Sequence, residues 1–154
     1  MALETLFHDR NGNAFGRLDD RLFVQARTGV LTMATLEAAD DNLKKRPLLG
    51  VGGALAVVNG DAGIMPADIR ARQMEFLKGL LAGGSWMVTV VRGETVHAST
   101  MRSLGRMMLL GQQRLRHMAD VGEAARFLGG VLDLDAARIE AAVADLHVLA
   151  RKSP

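Results

Sequence analysis

The chain has 154 residues, 49% of them hydrophobic and 23% charged, which supplies one buried core and a single domain. It contains no cysteine, so disulfides, thiolate metal sites and a cysteine nucleophile are excluded together. Nineteen basic residues against seventeen acidic ones leave a formal charge of +2, too small to call for a nucleic-acid partner.

No apolar run approaches the roughly 18 residues of a membrane-spanning helix. The opening segment from Met1 to Arg10 has neither the basic start nor the apolar stretch of a secretory signal. The expectation is a cytoplasmic protein with no integral membrane segment.

In chain order, the first dozen residues read as a turn-rich leader, with Asp9, Arg10, Asn11, Gly12 and Asn13 grouped together. Asn13 to Leu18 and Leu22 to Thr28 read as two strands, and Asp19-Asp20-Arg21 as the tight turn that pairs them in a hairpin. The helix that follows is marked at both ends. Thr32 supplies an N-cap hydroxyl, Leu36, Ala39 and Leu43 recur at helical spacing, and Lys44, Lys45 and Arg46 suit the negative end before Pro47 stops it. Ala54 to Val58 is short, continuously apolar and β-branched, the pattern of a central strand covered on both faces.

Pro66 stands where a second helix begins, and Gly83-Gly84 end it near Leu81. Trp86 to Val91 repeats the buried-strand pattern. A third helix is expected from Thr95 or Ser99 to Leu110, with Met101, Leu104 and Met108 as its apolar stripe. Arg114 to His117 reads as a last short strand. A small helix from about Asp120, closed by Gly129-Gly130, precedes a final helix capped by Asp133 or Asp135, on which Ile139, Val143, Leu146 and Ala150 share one face. The order predicts an α/β domain: a mixed, mostly parallel sheet of about five strands, an N-terminal hairpin, helices packed on it and an added C-terminal helix.

The chemistry-bearing candidates are few. Gly50-Val51-Gly52-Gly53 precedes a strand rather than opening a helix, so it is not a dinucleotide loop. Gly60-Asp61-Ala62-Gly63 lies between a strand and a helix start, where backbone N–H groups can hold an anion, but Asp61 would repel a phosphate and no P-loop lysine follows. His8, His97, His117 and His147 have no metal-ligand spacing, and His97 with Ser99 forms no nucleophile elbow. No catalytic residue, metal or cofactor is expected. From Thr95 to Ala119 no acid occurs, while Arg102, Arg106, Arg114 and Arg116 do, a patch fit for an acidic surface or a phosphate. Met101, Met107, Met108 and Met118 cannot all share one face, and adaptable methionine surfaces favour protein contacts or self-association as a homodimer.

Four places together resemble the STAS-like family, specifically the branch of bacterial anti-sigma-factor antagonists grouped with the CRAL-TRIO fold. These are the hairpin leading into Gly29-Val30-Leu31-Thr32, the segment Ala54 to Asp61, the Pro66-Ala67-Asp68-Ile69-Arg70 helix start, and Arg114 to Leu128. The resemblance covers roughly residues 13–130, with residues 131–154 as a helical extension of one domain spanning 1–154. It implies a non-enzymatic bacterial signalling module that binds a protein partner through the loop Asn59 to Asp68 and the helix after it, with Asn59, Asp61, Asp68 and Arg70 as the contact candidates; the charge distribution separately offers Arg102 and Arg106 as an anion or partner patch. The serine phosphorylated in such antagonists has no counterpart, since Asn59 to Gln73 contains no serine or threonine. The alternative is a small-molecule or lipid carrier with Phe76, Trp86, Met87 and the methionines lining a cavity.

Overall fold

In the computed structural model, which describes residues 3–60, 65–93 and 114–151, the first ordered element is a strand, β1 (Glu4–His8). The loop expected over the first dozen residues is thus corrected. β1 pairs antiparallel with β2 (Asn13–Leu18), but its register slips between Thr5 and Phe7, leaving Leu6 as an extra residue. Adjacent Leu6 and Phe7 therefore both pack on the same apolar cluster, which erases the alternation that marks a strand in sequence. The turn-forming residues Asp9 to Gly12 join this extra strand to the expected hairpin.

β2 and β3 (Leu22–Arg27) form that hairpin, with Asp19 and Asp20 at its tip in the left-handed region at φ 54° and 55°. After α1 (Met33–Lys45), β4 (Gly53–Asn59) lies parallel to β3. After α2 (Ala67–Ala82), β5 (Trp86–Arg92) lies parallel to β4, with Ala54 opposite Met87 and Val58 opposite Val91. The expected side-by-side, same-direction pair of apolar strands is at the centre of the sheet. β6 (Leu115–Met118) adds parallel to β5, and α3 (Val121–Leu132) and α4 (Ala136–Arg151) complete the described chain. The six strands stand in sequence order across the sheet. The helix expected over residues 95–110 lies outside the described residues.

The caps follow the sequence. Thr35 N–H donates to the Thr32 hydroxyl at 3.2 Å, Glu123 N–H to Asp120 Oδ1 at 2.8 Å, and Ala137 N–H to Asp135 Oδ1 at 3.0 Å. One stop is corrected. α3 runs through Gly129-Gly130 to Leu132 and ends where Asp133 turns left-handed at φ 55°. Gly129 is needed there for closeness, because a Cβ would stand 2.7 Å from the Leu134 carbonyl oxygen.

Strand alternation divides the core in two. Ala14, Leu22, Val24, Leu55, Val57, Val88 and Val90 pack against Ala125, Leu128, Ile139, Val143 and Leu146 of α3 and α4. Phe15, Phe23, Ala54, Met87 and Leu115 face Ala39 of α1 and Leu77 of α2. On that side Phe7, Phe15 and Phe23 stack with centroids 5.0 Å apart, and Phe76 of α2 joins Phe23 at 6.4 Å.

Buried Arg17 joins the hairpin to α1. Its guanidinium donates to Asn42 Oδ1 at 3.2 Å and to the carbonyls of Arg46 and Pro47, closing the helix's C-terminal end. Arg138 of α4 grips Asp19 at the hairpin tip with two hydrogen bonds of 2.8 and 2.9 Å.

Candidate functional site

Parallel strands deliver their carboxyl ends to one rim of the sheet, the side on which helices α1 and α2 begin, and ligands of such sheets bind outside that rim. Asn59 ends β4 there, half-buried and in register with Arg92 at the end of β5. Asn59 has the same strand parity as Val57, so its side chain belongs to the α4 face, whereas α2 covers the opposite face. Asp68 and Arg70 sit in the first turn of α2 and are exposed. Two positions apart on a helix, they do not face each other. The structure therefore gathers these residues on one rim without making them one constellation. Asp61, Arg102 and Arg106 lie outside the described residues.

Charge is distributed unevenly around this rim. Along α1 and α2 it is spent internally: Arg72 donates to Asp40 Oδ2 at 2.7 Å, Lys44 lies 2.9 Å from the same oxygen, and these cations hold the Asp40 carboxyl below its ordinary value, Lys44 most strongly. Asp68 and Arg70, by contrast, make no ion pair among the described residues. The alternating face of β3 places Arg27 under the helices, 4% exposed, where burial pulls its pKa down to about 10 and leaves it cationic at neutral pH. Among the described residues its hydrogen-bond partner is the Met65 thioether at 3.5 Å, and its Nε has none.

On the α4 face the rim is also basic. Burial lowers the Arg92 pKa, and neighbouring Arg151 adds to the effect. His147, buried one turn before Arg151, donates from Nδ1 to the Val143 carbonyl at 3.3 Å and leaves Nε2 without a partner. Burial foremost, then the positive field of Arg92, brings its pKa down to about 4.

Sequence reasoning weighed His97 and missed two other placements. His117 Nδ1 lies 3.1 Å from Thr89 Oγ1, its register partner on the neighbouring strand. Arg27 was readable as inward-facing, because it keeps the parity of Phe23 in the predicted strand, but arginine is read by default as a surface residue. Among the described residues no group of three or more His, Asp and Glu is placed to hold a metal ion.

Of the residues expected to line a carrier's cavity, Trp86 lies apart from Met87 and Phe76, while Met101, Met107 and Met108 lie outside the described residues. Trp86 points to the α3 face, edge-on to Phe127 at 5.2 Å, with the Arg114 and Arg116 guanidinium groups 5.1 and 5.7 Å from its ring. Met87 and Phe76 belong to the opposite cluster. A cleft between the C-terminal ends of α1 and α2, lined by Leu43, Leu48, Phe76 and Leu80, encloses about 290 Å³, just below the ~300–1,000 Å³ usual for ligand pockets. No described helix is long and apolar enough to cross a membrane. No family model, curated protein or solved structure matches the chain.

Proposed function

We propose that the chain is a non-enzymatic bacterial regulatory module of STAS-like type that binds a protein partner at the N-terminal turn of α2. The observation that carries this reading is the unspent charge of Asp68 and Arg70. Both are exposed, neither is paired among the described residues, and both stand on the rim where the loops of such a sheet meet their ligands. One turn further along, Arg72 and Asp40 already satisfy each other and have less to offer a partner. Exposed charges that gain nothing from the fold cost little to keep and are available to a complementary surface.

The carrier reading draws less support, because Trp86 lies on the opposite face of the sheet from Met87 and Phe76. The test is affinity purification from the native host with the full chain as bait. Asp68→Ala combined with Arg70→Ala should retain the wild-type circular dichroism and melting curve and lose the captured partner. The control pair Asp41→Ala with Lys45→Ala, removing an exposed ion pair of 3.0 Å elsewhere, should keep it. Equal capture by both double variants would overturn this surface.

A further inference from the structure

Arg27 is the least explained group in the molecule. A guanidinium presents five donors and a full charge, and interiors hold such groups only when they are paired. Arg27 is 4% exposed, and among the described residues no carboxylate pairs with it, its Nε finds no hydrogen-bond partner, and Nη1 rests on a thioether, a weak and uncharged acceptor. Buried Arg17, whose Nε likewise makes no hydrogen bond, shows the usual solution in the same fold: the Asp20 carboxylate lies 3.2 Å from that Nε, and carbonyls accept from its other end. Arg27 has no such set.

The place it points to is informative. Met65, which it touches, precedes Pro66, the N-cap of α2. Proline has no N–H and no side-chain acceptor, and the first intrahelical bond runs from Arg70 N–H to the Pro66 carbonyl at 3.0 Å. The N–H groups of Ala67, Asp68 and Ile69 thus stand at the positive end of a 16-residue helix, and among the described residues no side chain caps them. Met65 links the two: its sulfur receives the Arg27 guanidinium, and its backbone runs into Pro66 at the start of α2, on the carboxyl rim.

We propose that this spot is an oxyanion site, and that it takes a phosphoryl group, either free phosphate or the head of a small phosphate monoester. The fork of Arg27 suits two oxygens of a tetrahedral anion, and the helix amides suit a third. Asp68 in the same turn opposes a dianion and sets the affinity below what the donors alone would give. This site shares the first turn of α2 with the partner surface but rests on Arg27, which the partner reading does not use, so the Arg27 variants separate the two.

The test titrates the full chain with sodium phosphate and, separately, ethyl phosphate, against sodium chloride at matched ionic strength, following the melting temperature and the heat of binding. The wild type should show a saturable stabilisation by phosphate that chloride does not give. Arg27→Met, which removes the buried charge and keeps the side-chain length, should fold in chloride and lose the phosphate response. Arg27→Lys, which keeps the charge without the fork, should weaken binding about tenfold or more, and it serves as the decisive comparison if the methionine variant fails to fold. Asp68→Asn should tighten binding. Tighter binding of ethyl phosphate than of phosphate identifies a monoester as the ligand, and the reverse identifies the free ion. Indistinguishable titrations for the wild type and the Arg27 variants, or no specific phosphate effect on the wild type, would overturn the site.

Discussion

At the scale of single residues, the molecule's polar interior is where stability and pH meet. His147 is 4% exposed, and its folded pKa of about 4 lies well below the ordinary value of 6.5. The fold therefore favours neutral imidazole. This contribution is fully present above pH 6.5 and is lost as pH falls toward 4, in total on the order of 3 kcal/mol. Asp19, Asp20 and Asp40 have lowered pKa values and also lose stability on acidification, but at lower pH than the start of the His147 window. Urea unfolding of the wild type should show a falling midpoint between pH 6.5 and 4.5, and His147→Leu should flatten that stretch. A variant with the wild-type slope would place the acid sensitivity elsewhere. His147 was legible in sequence as a member of the buried face beside Leu146 and Ala150. Its place in the positive field of Arg92 was not, because that residue arrives from a strand 55 positions earlier.

At the scale of elements, local chemistry was readable wherever one side chain decides a boundary. Thr32, Pro47, Asp120 and Asp135 each act within three or four residues of themselves, so their effects survive without knowledge of the fold. β1 and the end of α3 were not readable for the opposite reason. The bulge at Leu6 answers to the register of β2, and Gly129 answers to the carbonyl of Leu134 after the chain has turned. The two adjacent glycines of α3 should consequently behave oppositely. Gly129→Ala forces a Cβ to 2.7 Å from that carbonyl oxygen and should destabilise by about 2 kcal/mol. Gly130→Ala meets nothing within 4 Å and should stabilise by about 0.5–1 kcal/mol through lower chain entropy in the unfolded state. Thermal or chemical denaturation of the two variants decides the matter by sign alone.

At the scale of the whole molecule, the two helical layers are held with unequal strength. α4 buries Ile139, Ala142, Val143, Leu146, His147 and Ala150, whereas α2, of the same length, buries only Leu77. Apolar burial is the main source of helix retention in a fold of this kind, so α2 should open locally long before the sheet does. Native-state hydrogen exchange should find the amides of α2 exchanging through low-energy local openings and those of α4 near the global limit. Comparable protection in the two helices would contradict this ordering. The imbalance was only partly visible in the sequence. The apolar face of α4 repeats cleanly, while α2 carries as many large apolar residues, among them Met74, Phe76, Leu80 and Leu81, that the sheet covers only in part. The α/β class and the central parallel pair were legible because both strands are continuous apolar runs, a pattern that only two-sided burial rewards. That Asn59, Asp68 and Arg70 stand on the carboxyl rim followed from the predicted order of strand and helix, whereas the ion pairs of their neighbours, such as Arg72 with Asp40, depend on partners distant in sequence.

The bulged first strand has one more consequence. A chain whose outermost strand were flat and regular would offer its unpaired amides and carbonyls to any passing copy, and could polymerise by adding sheet to sheet. Here that border is kinked at Leu6 and charged at Glu4, whose carboxylate accepts from Arg46 at 2.8 Å, while the strand at the other border is only four residues long and exposes Arg116. Both described borders of the sheet thereby discourage lateral growth by backbone pairing.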